Sequence, residues 1–188
     1  MTRAEHPPIV AVPPPERPVK RRRGARIVVR AQGRVLLIAD TDPGVPGSNW
    51  WVTPGGGVDP GETSRQAAAR ELAEETGLAV DAEDLIGPIA RRVVSHGYSD
   101  RVLIQNEDFY AIDLPAQFDP DRVGFTAKEH ATLGEFRWCS AAELARLPVW
   151  PADLARLLDL TDEQPAINFG AVEESTVPVD LGHQPAGH

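Results

Sequence analysis

The chain has 188 residues, 41% hydrophobic and 25% charged, an ordinary globular composition for one domain. It holds no run of about 18 apolar residues, and its only early apolar patch, residues 9–12, is bracketed by prolines, so neither a membrane span nor secretion is expected. The net charge of −9 is uneven: residues 1–30 carry eight Lys/Arg against two Glu, leaving 11 against 26 for the remainder, an acidic body that repels duplex nucleic acid as a main partner.

In chain order, residues 1–24 hold six of the 18 prolines and run into Lys20-Arg21-Arg22-Arg23. Such a composition buries little and predicts a disordered arm whose basic run is a solvated tail rather than a contact to RNA or an acidic partner. Arg26–Arg30 and Arg34–Ile38 flank Ala-Gln-Gly and read as a hairpin. Residues 41–48 read as a loop, Trp50–Val52 as a short strand, and Pro54-Gly55-Gly56-Gly57 as a stretch where no regular element continues. Thr63, with Gln66 three residues on, marks a helix start, and Gly77 supplies its stop. Ile86–Val94 and Val102–Leu114 read as strands, the second interrupted by Gln105-Asn106-Glu107-Asp108, and Glu135–Cys139 as another. Ser140 and Glu143 form a second capping box opening a helix to about Leu147, and Pro151 opens a last helix to about Leu160. Residues 161–188 carry no Lys or Arg and read as an acidic, mostly disordered tail, with Ile167 and Phe169 able to pin a short piece onto the body. The domain proper is therefore placed at 25–160, with mixed α/β (α+β) architecture. The single cysteine, Cys139, rules out an internal disulfide and reads as a small core residue, which points to a reducing compartment, the cytoplasm.

Chemistry concentrates in the helix 63–76. At 100° per residue Glu71, Glu74 and Glu75 share a sector of roughly 100°, while Ala69, Leu72 and Ala73 lie on the other side to dock on a sheet. Like charges at these spacings repel, and hard divalent cations take such oxygen ligands. The preceding glycines let backbone approach a ligand closely.

From Gly56 to Leu78 the segment reads Gly56, five residues, Glu62, seven residues, Arg70-Glu71-Leu72, one residue, Glu74-Glu75, one residue, Gly77-Leu78. It resembles the Nudix box of the Nudix hydrolase family at every specified position. The resemblance implies an α/β/α sandwich around a mixed β-sheet over residues 25–160. It also implies hydrolysis of a diphosphate linkage in a nucleoside diphosphate joined to another moiety, by water attack at phosphorus, with Mg²⁺ or Mn²⁺ as cofactor. By the same carry-over Glu74 and Glu75 are metal ligands, Glu71 is a ligand or the general base, and the Gly55 carbonyl adds a ligand. Glu62 and Arg70 form a structural ion pair, with Gly56 and Gly77 structural too. The family often adds a loop glutamate, for which Glu129 is placed, with Glu107 and Asp108 competing.

Outside the box, Trp51 (or Trp50), Arg91 and Arg101 are candidate substrate contacts, one tryptophan being core and the other exposed because neighbours in a strand face opposite ways. His96 and Tyr98 are substrate candidates weighed against simple loop capping, and Arg92 against a role in sheet solubility. Family subgroups carry a proline or tyrosine shortly after the box; residues 93–96 read Val-Val-Ser-His, so no subgroup and no individual substrate is implied. The partner is a small-molecule nucleotide, and a homodimer is left open. The alternative reading is a nucleotide or nucleotide-sugar sensor without turnover. An isoprenoid-diphosphate isomerase on the same fold would need a pocket cysteine, which the strand context of Cys139 disfavours.

Overall fold

The hairpin closes through Gln32 and Gly33, both at positive φ (52° and 72°), the backbone that a tight two-residue connection requires. It belongs to a computed structural model that describes residues 11–121 and 132–179. Strands β1 (Val19–Ala31), β2 (Arg34–Asp40), β3 (Trp50–Val52) and β4 (Gly55–Gly57) precede helix α1 (Ser64–Thr76). After it come β5 (Ile86–Gly97), β6 (Val102–Leu114), β7 (Leu133–Ser140), α2 (Ala141–Leu144), β8 (Val149–Trp150) and β9 (Ile167–Glu173). One mixed sheet runs in the order β8-β3-β2-β1-β6-β5-β9, with β4 also paired to β1 and β7 to β2. Its spine is β1, parallel to β6 along its whole length from Val19↔Val102 to Ala31↔Leu114.

Both faces of the sheet are apolar and covered, which defines the two core layers. On one, Ala25, Ile27 and Val29 of β1 with Tyr110 and Ile112 of β6 receive Ala67, Ala68 and Leu72 of α1. On the other, Val28, Leu37, Phe109 and Cys139 pack against Leu144, Leu154 and Leu157. The helix buries Ala67 and Ala68 rather than Ala73, which is only half-buried. No helix of the described residues is long and apolar enough to cross a membrane.

The architecture is the expected α+β type, but element boundaries differ in six places. Residues 19–24, read as part of a disordered arm, begin β1; their support is the full-length ladder to β6, which needs no apolar pattern. Gly55–Gly57 form a strand against Gly24–Arg26. Gln105–Asp108 do not interrupt β6, because Gln105 and Glu107 are buried in hydrogen bonds and ion pairs rather than solvated. The helix expected at 151–160 shrinks to a 3₁₀ turn, Leu154–Leu157, and α2 stops at Leu144. In the stretch read as a tail, Ile167–Glu173 add β9 parallel to β5, with Ile167 and Phe169 packed on the core.

Glu107 sits in the middle of this sheet at 2% exposure. Arg26 Nε donates to one of its oxygens at 3.0 Å and Arg92 Nε to the other at 2.6 Å. Burial alone would raise the Glu107 pKa, but the two guanidinium charges outweigh it and bring it down to about 2. A carboxylate depressed in the folded state adds stability above its ordinary pKa of 4.5, and that contribution drains as pH falls toward about 2. Glu107→Gln should therefore cost about 3–5 kcal/mol at neutral pH by leaving two buried cations short of a partner. The gap from the parent chain should close between pH 4.5 and 2, as followed by denaturant and thermal melts across that range.

Candidate active site

Helix α1 starts where the capping box places it. The Gln66 N–H donates to Thr63 Oγ1 at 3.2 Å and the Thr63 N–H donates to Gln66 Oε1 at 2.9 Å. It ends at Gly77, φ 75°, whose N–H donates to the Ala73 carbonyl at 2.9 Å. Docking Ala67, Ala68 and Leu72 on β1 turns Glu71 and Glu75 toward β4, where they are only 7% and 5% exposed. Glu75 Oε2 accepts from the Gly55 N–H at 2.8 Å. The Glu71 carboxyl lies directly on Gly56: a Cβ there would meet its three carboxyl atoms at 2.4–2.6 Å. Gly55 is glycine for a second reason, φ 141° with the Ala25 carbonyl 2.2 Å from any added Cβ.

The acidic repulsion is offset by Arg70. Its Nη1 donates to Glu71 Oε1 and Glu74 Oε2, each at 3.0 Å, and its Nη2 to Glu62 Oε1 at 2.7 Å and the Gly57 carbonyl at 2.9 Å. The hydrogen bond from Arg70 holds Glu62 below its usual pKa, and that to Glu62 raises Arg70's own. One guanidinium thus ties the glycine strand, the turn before α1 and the acidic helix face together.

Glu71 and Glu75 open into a cleft of about 230 Å³ that Arg22, Arg26, Tyr98 and Arg101 also line. Arg26 Nη1 donates to the carbonyls of Thr53 (3.2 Å) and Gly55 (3.0 Å). Burial alone would lower its pKa, but the charges of Glu107 and Glu75 raise it and keep it cationic. Arg101 lies 4.6 Å from the Tyr98 ring centroid and donates to Asp100 at 2.7 and 2.8 Å. In the same wall Asp42, 3% exposed, accepts from the Ser99 N–H (2.7 Å) and Thr176 Oγ1 (2.6 Å), tying the loop after β2 and the turn after β5 to the C-terminal segment.

Of the residues singled out by sequence, Glu71, Glu75, Gly55, Gly56, Tyr98 and Arg101 meet at this cleft. Glu74 is not among the residues that line it; its side chain is 44% exposed and held by Arg70. The Gly55 carbonyl, expected as a metal ligand, already accepts from Arg26. Trp51 is not at the cleft; it is buried in the core beside Leu37 and Cys139. Trp50 is buried as well, stacked on Trp150 at 4.4 Å, so neither tryptophan is exposed: β3 is covered on both faces. Arg91 pairs with Asp108 at 3.2 Å in a separate groove on the sheet's outer face. Arg92 and Glu107 neutralise each other inside the sheet. His96, 2% exposed, donates from Nδ1 to the Glu174 carbonyl at 2.8 Å, and burial drives its pKa down to about 4, so it is neutral at pH 7. Cys139 is free and buried. Glu129 lies outside the described residues. Arg22 and Arg26 were not anticipated, although Arg22, Gly24 and Arg26 alternate on one face once the strand is begun at Val19.

Among the described residues no three His, Cys, Asp or Glu side chains stand as a formed cation-binding group. The donor chemistry nonetheless fits a hard divalent ion: two buried carboxylates on a glycine cradle that any Cβ would fill. Gly56→Ala should push the Glu71 carboxyl off the cradle, so that added divalent cation raises the variant's melting temperature less than the parent's, with little change in the ion-free melting temperature. Gly55→Ala should lower the ion-free stability itself, by about 1–3 kcal/mol, through backbone strain.

The NUDIX domain family model matches residues 20–160. The chain is 58% identical over 107 residues to an RNA pyrophosphohydrolase of Erythrobacter litoralis, covering 53% of this chain and 64% of that protein, and so spans just under two thirds of that relative's length. It is 32% identical over 134 residues to the CTP pyrophosphohydrolase of Escherichia coli, covering 69% of this chain and 84% of that one. Its fold matches the MutT NUDIX hydrolase of Burkholderia pseudomallei with a TM-score of 0.52 at 23% identity, over 75% of this chain and 99% of that one. With a family model over most of its length, the glycine cradle and the acidic helix behind it, the chain belongs to the Nudix hydrolase family.

Proposed function

We propose that this protein is a pyrophosphohydrolase that cleaves a diphosphate linkage in a nucleoside diphosphate joined to another moiety, using Mg²⁺ or Mn²⁺. The observation that carries the reading is the pair of buried carboxylates, Glu71 and Glu75, in a cleft that also exposes arginines. Carboxylates alone would repel a diphosphate, and guanidinium groups alone would bind it without activating water; the combination suits anionic substrate and divalent ion together. The names of the two curated relatives, an RNA and a CTP pyrophosphohydrolase, support the reaction class.

In this reading Glu75 and Glu74 hold the ion, and Glu71 either joins them or takes the proton from the attacking water. The bound ion supplies charge neutralisation at the phosphates and a more acidic water. Arg70 fixes the spacing of Glu71, Glu74 and the Gly57 carbonyl, so the carboxylates meet their ligand already oriented. Arg26 screens the negative end of the glycine strand, and Arg101 on the Tyr98 ring offers a flat cationic surface to substrate.

The test is phosphate release, after phosphatase coupling, from nucleoside triphosphates, nucleotide-sugars, ADP-ribose, dinucleoside polyphosphates and 5′-triphosphate RNA, each with Mg²⁺, Mn²⁺ or EDTA. Turnover of at least one of them, silenced by EDTA, is expected. Glu75→Gln should reduce it by at least about 100-fold, the loss of several kcal/mol of charge stabilisation, while substrate still raises the variant's melting temperature. A silent panel in which the same ligands shift the melting temperature would replace the hydrolase with a nucleotide sensor.

A further inference from the structure

We propose that Arg22 binds the phosphate chain of the substrate and sets the enzyme's preference for the charge of that chain; this rests on the function proposed above. A polar relay inside the sheet leads from Glu107 to Arg22. Glu107 accepts from Gln105 Nε2, and Gln105 Oε1 accepts from Arg22 Nε. Gln105 is fully buried and lies across Gly24, where a Cβ would meet its side chain at 2.5–2.9 Å. A buried amide held at both ends is a rigid mount, and what it mounts is the guanidinium of Arg22.

That guanidinium rests on Gly57: a Cβ there would lie 2.9 Å from Nη1 and 3.4 Å from Cζ. Gly56, the next residue, carries the Glu71 carboxyl. Cation and carboxylate therefore sit on successive glycines, from opposite sides of a three-residue strand, and both open into one cleft. The other cleft arginines are engaged differently. Arg26 is committed to Glu107 and two carbonyls, and Arg101 donates to Asp100. Arg22 uses only Nε, and among the described residues neither Nη makes a hydrogen bond. The residue is exposed and lines the cleft. Two parallel N–H donors match two non-bridging phosphate oxygens, a geometry that a lysine cannot reproduce.

The experiment compares the parent chain with Arg22→Met and Arg22→Lys, reading the affinity for inorganic pyrophosphate and tripolyphosphate in the presence of Ca²⁺ by thermal shift and calorimetry, and the steady-state constants for the preferred substrate. Arg22→Met should weaken both ligands about 10- to 100-fold, the loss of one charge-assisted bidentate contact. The loss should be larger for tripolyphosphate, and KM should rise with kcat changed little. Arg22→Lys should recover only part. Arg22→Met that melts like the parent and binds both ligands within twofold overturns the assignment. Should that variant lose its fold, Arg22→Lys decides: affinity and KM at parent values equally overturn it. A parent chain that binds neither ligand and turns over nothing refutes the proposed function, and the role of Arg22 with it, which separates the two failures.

Discussion

A carboxylate buried in the middle of a β-sheet costs several kcal/mol unless it is neutralised from nearby. Glu107 is such a group, and the way it is neutralised organises much of this molecule. Arg26 reaches it from β1, and the same guanidinium holds the carbonyls of Thr53 and Gly55 and so fixes the strand on which Glu75 rests. Arg92 reaches it from β5 and pairs with Glu174 beyond β9 at 2.8 Å. Gln105 donates to it and holds Arg22. Cleft, sheet and C-terminal segment are thus connected through one pair of oxygens. A purely apolar sheet centre would pack as well, but would leave the arginines with no fixed direction.

The second constraint is the absence of side chains. Gly55, Gly56 and Gly57 each give their space to a group from elsewhere: the Arg26 backbone, the Glu71 carboxyl and the Arg22 guanidinium. Three residues without Cβ atoms make a strand thin enough for charges from α1 and from β1 to approach a common opening. Arg70 then binds the helix side of this arrangement to the Gly57 carbonyl, so the acidic face is held in place before any ligand arrives.

Much of this was legible in the chain itself. The helix limits followed from Thr63, Gln66 and Gly77, because caps and stops are local chemistry. The hairpin and β6 followed from β-branched runs around turn residues. The pairing of Arg70 with Glu62 followed from the resemblance. Illegible were the features that depend on partners distant in sequence. Residues 19–24 look solvated because their basic side chains have no local reason to order, and only the ladder to β6 supplies one. Gln105 and Glu107 look like an interruption because charge in a strand normally means solvent, whereas here the compensating arginines come 81 and 15 residues away from Glu107. Trp51 looks like a stacking surface because alternation predicts one open face, and β3 has both faces covered.

Strand β9 extends the sheet past the family-matched residues, which end at 160. It lies along β5, and the segment after it supplies the Glu174 carbonyl to His96 and the Thr176 hydroxyl to Asp42, while Arg17 donates to the Val177 and Pro178 carbonyls. Pairing with β9 covers the edge of β5, and unpaired backbone donors and acceptors on a sheet edge are a template for association. Without this extension β5 would present such a template, beside a buried arginine short of one of its two carboxylates. The sheet that carries the family's chemistry is thus completed at one edge by residues outside the stretch that defines the family.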